Sequence, residues 1–111
     1  MNISIDGRLF EWDDEKAVRN RKKHKVDFKD AALVFYDEYR IEEFDEENSI
    51  DEDRWKVTGM VGNVLVVIYT EREEATRLIS ARKAEPKERR QYNEHRILLS
   101  SQGLTTDSRT N

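Results

Sequence analysis

The chain has no cysteine, one proline, four glycines and two histidines among its 111 residues. Without cysteine there is neither a disulfide framework nor a thiolate metal centre. Two histidines far apart in sequence, with carboxylates clustered in one acidic run, give no metal-ligand spacing, so no metal is expected. No apolar run approaches the roughly eighteen residues of a membrane span. The polar start, Met1 to Gly7, lacks the layout of a signal peptide, so a cytoplasmic protein is expected. Four glycines make no phosphate-cradling loop, and neither a paired-carboxylate motif nor a nucleophile elbow is present.

Charge is what the chain has in quantity: 40% of its residues are Asp, Glu, Lys or Arg, for a net charge of -4. The acids are concentrated. Ten lie between Asp37 and Asp53 against the single Arg40, which leaves nineteen Lys and Arg against fourteen acids elsewhere. A basic body with an acidic loop can bind a polyanion when its cations share a face, because local field steers ligands more than net charge does. A heavily charged, solvated surface is the plainer reading.

The length allows one domain, over residues 1–99, with a polar tail over 100–111 expected to be disordered. Arg8 to Trp12 alternates and predicts a first strand. Asp13 is a natural N-cap for a helix from Asp14 to about His24, whose inner face carries Ala17 but also Asn20, Arg21 and His24. Asp27 caps a second helix with Phe28, Ala31, Ala32 and Phe35 on one face, ending near Asp37. Tyr39 to Phe44 reads as a weak strand before the acidic loop Asp45 to Asp53. Arg54 to Val61 alternates, Gly62-Asn63 turns, and Val64 to Tyr69 is apolar throughout, as in a central strand buried on both faces. Thr76 to Lys83 pairs back, and Pro86 opens a helix to about Leu98. The expected fold is α+β: two N-terminal helices, an antiparallel meander of about four strands and a C-terminal helix.

Arg82 alternates with Leu78 and Ser80, and Arg77 with Ile79 and Ala81, so each guanidinium stands beside the sheet. A held arginine fork suits a phosphodiester. For Arg77 an ion pair with Glu73, Glu74 or the acidic loop is the better account. Arg72, flanked by Glu71 and Glu73, lies at the hairpin tip. His24 either moves protons or caps helix carbonyls. Trp12 and Tyr92, at element ends flanked by basic residues, are candidate platforms for bases, against the usual place of such aromatics at a core rim.

These segments together resemble the BrnT toxins of type II toxin–antitoxin systems, which are similar to RelE-like ribonucleases. The resemblance rests on Phe10-Glu11-Trp12-Asp13, on Asn20 with Lys23-His24, on Val26-Asp27-Phe28, Ala31-Ala32 and Val34-Phe35, and on Thr70-Glu71-Arg72. It continues through Arg77 to Ala84 and Glu88-Arg89-Arg90-Gln91-Tyr92. It implies a RelE-like sheet flanked by helices and a growth-inhibiting endoribonuclease that needs no cofactor. It also implies neutralisation by a BrnA-like ribbon-helix-helix antitoxin, with operator DNA bound only through that antitoxin. The implied catalytic candidates are His24, Arg72 and Arg82, with Glu71 as an alternative proton carrier; Trp12, Lys23, Arg89 and Tyr92 would bind RNA. The apolar central strand and thin core leave room for a homodimer. The competing class is a non-catalytic module that binds a partner through its sheet and acidic loop.

Overall fold

In the computed structural model, the backbone of residues 1–110 and the side chains of residues 1–101 are described. Six strands form one sheet in the order β1-β2-β6-β5-β4-β3. They are β1 (Asn2–Ile5), β2 (Arg8–Glu11), β3 (Ile41–Phe44), β4 (Trp55–Val61), β5 (Asn63–Arg72) and β6 (Ala75–Lys83). The expected four-stranded meander is present as β3 to β6, and β5 is interior, but the sheet is larger and mixed. β2 joins β6 in parallel, pairing Leu9, Phe10 and Glu11 with Ala75, Thr76 and Arg77. β1 pairs antiparallel with β2 through the Asp6-Gly7 turn. Both turn residues have positive φ, 47° and 84°, as a two-residue hairpin turn of type I′ requires. Asp-Gly is the clearest signal that marks this strand pair, since β1, though it alternates in exposure, is only four residues long.

Helix α1 (Asp14–His24) has the expected bounds, with Asp13 Oδ1 accepting from the Lys16 amide and Lys25 closing it in the left-handed conformation. Helix α2 (Phe28–Ala32) tightens into a 3-10 turn, Leu33–Tyr36, before Asp37. Helix α3 spans Pro86–Thr110, past the expected end near Leu98. Neither proline nor glycine interrupts it through Ser101, which leaves its ladder no local reason to stop at Leu98. The tail expected from residue 100 falls, from 102 onward, outside the residues whose side chains are described.

One face of the sheet packs Phe10, Trp12, Val57, Val67, Tyr69 and Leu78 against α2 and the 3-10 turn. Each large apolar side chain so buried contributes about 1.5–3 kcal/mol. The close approach of the 3-10 turn depends on Gly59, where a Cβ would stand 2.7 Å from Val34 Cγ1. The other face is covered only in part: Tyr92 of α3 packs on Val64, Val66 and Ala84.

β2 covers β6 only as far as Arg77, so from Leu78 onward that edge has no strand beside it. Asn20 completes it. Its Nδ2 donates to the Ala81 carbonyl at 2.9 Å and to the Val26 carbonyl at 3.1 Å, and its Oδ1 accepts the Ala81 amide at 3.1 Å. The polar inner face of α1 therefore serves the sheet edge, where an apolar residue would leave two backbone groups unpaired.

Candidate functional site

β6 carries one more residue than β5 between the pairs Tyr69–Leu78 and Ile68–Ser80, a bulge at Ile79. A bulge shifts the alternation of faces. Leu78 and Ala81 therefore both point into the α2-side core, while Arg77, Ser80 and Arg82 share the opposite face. The expectation that Leu78, Ser80 and Arg82 lie on one side is corrected by this inserted residue. On that opposite face Lys56, Ile68 and Ser80 form one cross-strand row, and Thr58, Val66 and Arg82 the next.

Where α3 stops covering the sheet, a cleft of about 490 Å³ opens. It is lined by Lys23, His24, Arg54, Lys56, Ser80 and Arg82, with Asp45, Glu47 and Asn48 of the acidic loop along its other side. The last turn of α1 brings in Lys23 and His24 because Asn20, one turn earlier, ties that helix to β6. The loop is itself tied down. Thr70 Oγ1 donates to the Asp53 carbonyl at 2.7 Å, Arg72 Nη2 meets both Glu52 oxygens at 3.2 and 3.3 Å, and Ser49 Oγ accepts the Arg54 amide at 2.8 Å.

Most cations of this face have an anion in place. Arg82 binds Glu88 with both ends of its fork, at 2.7 and 3.0 Å, and Lys56 Nζ lies 3.2 Å from the same carboxylate. Glu88 also accepts the Glu85 amide at 2.8 Å, closing the first turn of α3 behind Pro86. The Arg82 hydrogen bond, aided by the Glu85 amide and Lys56 and opposed by partial burial, holds the Glu88 carboxyl down at about 2. The Arg82 guanidinium is correspondingly pushed up by Glu88. Arg77 pairs with Glu11 at 2.8 Å: an ion pair as expected, but across the parallel β2–β6 seam instead of at the hairpin turn.

Of the eight residues singled out from the sequence, Lys23, His24 and Arg82 come together in the cleft. Arg72 is on the same face but at the hairpin tip, held by Glu52. Glu71 points to the other face, where it accepts from Arg8 at 3.2 Å and from the Thr76 hydroxyl at 3.4 Å, so it does not join the cleft. Trp12 is 5% exposed and meets Phe28 edge-on, and Tyr92 is 1% exposed with its hydroxyl on Asp37. Neither ring has a face free for a base; both are core residues because apolar partners flank them. Arg89 is exposed on α3 and caps the Ala84 carbonyl at 3.1 Å. Sequence reasoning passed over Arg54, Lys56, Ser80 and Glu88. The first two had a signal, as the polar side of an alternating strand; Glu88 had one in its place three residues after the N-cap.

A larger depression, about 640 Å³, lies among Leu33, Tyr36, Asp37, Met60, Tyr92 and Arg96. The Asp37 carboxylate is committed to structure. Burial opposes ionisation of Asp37, but the Tyr92 hydroxyl and the Met60 and Tyr39 amides outweigh it and keep the carboxyl below its usual range. Burial, then Asp37, pushes the Tyr92 phenol up. The histidine and the cations Lys23, Arg54, Lys56 and Arg82 converge in the cleft instead. Among the described residues no group of three or more His, Asp or Glu is placed to hold a metal ion.

The family model described as "Ribonuclease toxin, BrnT, of type II toxin-antitoxin system" matches residues 12–88. Among solved structures, the chain is similar to the 1.1 Å crystal structure of the ribonuclease toxin BrnT of Brucella abortus. The TM-score is 0.52 and the identity 23%, over 68% of this chain and 95% of that one. No curated protein matches.

Proposed function

The chain belongs to the BrnT family of ribonuclease toxins of type II toxin–antitoxin systems, and on that premise we propose that it cleaves RNA in the basic cleft, without a metal. The observation that carries this reading is the convergence of His24 with Lys23, Arg54, Lys56 and Arg82 from three separate elements. The nucleophile is the substrate's own 2′-hydroxyl. His24 takes its proton, the 2′-oxygen bonds to phosphorus, and the bond to the 5′-oxygen breaks as water gives that oxygen a proton. A 2′,3′-cyclic phosphate and a 5′-hydroxyl result.

Arg82 stabilises the charge that develops on the phosphorane. Glu88 and the Lys83 carbonyl engage three of its five N–H donors and leave two for phosphate. Glu88 thereby orients the fork it partly neutralises. Arg72 serves the same strand of RNA farther out, once Glu52 releases it. A preorganised donor of this kind contributes roughly 10²- to 10³-fold in rate.

The partner in this reading is a cognate antitoxin, of ribbon-helix-helix type, in the cytoplasm. Leu33, Tyr36 and Met60, together with Ile97 and Leu98 on α3, are exposed apolar groups that support a protein partner. Among the described residues no helix is long and apolar enough to cross a membrane.

Purified protein incubated with RNA in EDTA should cleave it, leave 2′,3′-cyclic ends, and spare RNA that carries a 2′-deoxy sugar at the cut. Arg82→Ala should lower the rate about 10²-fold or more. Cleavage that requires a divalent ion, or an Arg82→Ala rate equal to wild type, would sink the mechanism.

A further inference from the structure

The arginines of the cleft face are not equivalent. Arg82, Arg72 and Arg77 each hold a carboxylate. Arg54 holds none: among the described residues its side chain makes no hydrogen bond or ion pair, and its Nε is buried without a partner. Acids are close at hand, since Asp45 and Glu47 line the same cleft. Yet Asp45 Oδ2 accepts from Asn48 Nδ2 at 2.7 Å, and neither carboxylate bonds the Arg54 side chain. The backbone beneath Arg54 is clamped, its amide donating to Ser49 Oγ at 2.8 Å and its carbonyl accepting the Asp45 amide at 2.8 Å. A charged fork on a fixed base, with a buried donor unmatched, costs folding free energy that nothing inside the fold returns. That cost is recovered when an anion arrives.

We propose that Arg54 is a phosphate-anchoring residue for single-stranded RNA. It takes a phosphodiester neighbouring the one held at His24 and Arg82. The placement follows from the sheet: Arg54 enters the cleft beside β4 and Arg82 from β6, strands two spacings or about 10 Å apart, which gives each fork room for its own phosphodiester. The fork gives a phosphodiester two parallel donors, which a lysine does not. The inference rests on the ribonuclease reading for the identity of its ligand, but the two fail separately.

The test uses the full chain and a single-stranded RNA oligonucleotide made uncleavable by 2′-O-methylation, titrated by fluorescence anisotropy at several salt concentrations. Arg54→Ala should weaken binding about tenfold and reduce the salt slope by about 0.7, the share of one phosphate on a single strand. Arg54→Lys should restore the slope but only part of the affinity. On cleavable RNA, Arg54→Ala should raise KM while kcat stays within about twofold. Its thermal stability should equal or exceed wild type, because the donor removed is unmatched. Arg54→Gln carries the same test should the alanine variant not fold. Wild-type affinity and slope in Arg54→Ala would overturn the anchor and leave the ribonuclease reading standing. Arg54-dependent binding with no cleavage by the wild type would do the reverse. No binding of RNA by the wild type would overturn both.

Discussion

On the side covered by α1 and α2, Phe10, Trp12, Phe35 and Tyr69 pack together and the polar groups among them are partnered, Thr76 by Arg8 and Glu71 and the Asn20 amide by three hydrogen bonds to backbone. On the other side α3 packs Tyr92 on Val64, Val66 and Ala84 and sets Glu88 on Lys56 and Arg82, and the same face carries Arg54, Arg72 and Arg77. The two faces alternate along the same strands, so the contrast is not one of composition by segment. It teaches that the first face is given over to packing, while the charged face pairs most of its cations with carboxylates of the fold.

Removing the amide that completes the dry side should have the largest effect. Asn20→Leu leaves the Ala81 amide and carbonyl unpaired and should cost about 3 kcal/mol in denaturant unfolding; a loss near zero would mean that water takes over these groups. Gly59→Ala should follow, at about 2 kcal/mol, because its Cβ meets Val34 Cγ1 at 2.7 Å and the Val34 carbonyl at 3.2 Å.

On the charged side the effects on stability are smaller and depend on conditions. Glu88→Gln should cost about 1 kcal/mol at neutral pH through the loss of its ion pairs with Arg82 and Lys56, while freeing Arg82 and tightening RNA binding. The folded-state value of Glu88 is depressed from 4.5 to about 2. Its contribution is therefore complete above the unfolded value and lost as pH falls toward the folded one. The stability gap between wild type and Glu88→Gln should shrink as pH is lowered from about 4.5 to 2. A gap that widened there would show that the ion pairs are not its source. Smallest is Glu52→Gln: stability within about 0.5 kcal/mol of wild type, with a modest gain in RNA affinity at low salt that fades at high salt. A gain independent of salt would argue that the acidic loop acts by shape instead of charge.

The alternation of β4, the apolar run of β5, the cap at Asp13 and the proline at position 86 could be read directly, because each is a local preference that tertiary packing reinforces. β1 was missed although Asp6-Gly7 announces its turn. The pairing of β2 with β6 joins segments more than sixty residues apart in parallel register, and no local pattern encodes it. The site was half legible. Lys23, His24 and Arg82 could be named, whereas Trp12 and Tyr92 drew attention for their neighbours in sequence and proved to be buried by their neighbours in space.

By itself, the amino-acid sequence determined the strands and helices of the meander, the separation of acidic loop from basic body, and the family, since all three are carried by residue type and spacing. The tertiary structure alone decided which cations share a face and which are free. A single inserted residue at Ile79 turns Arg77 and Arg82 to the same side, and Glu88 and Glu52 reach their partners only through folding. Whether a charge is available depends on what stands within hydrogen-bonding distance of it, and that distance is a property of the packed chain.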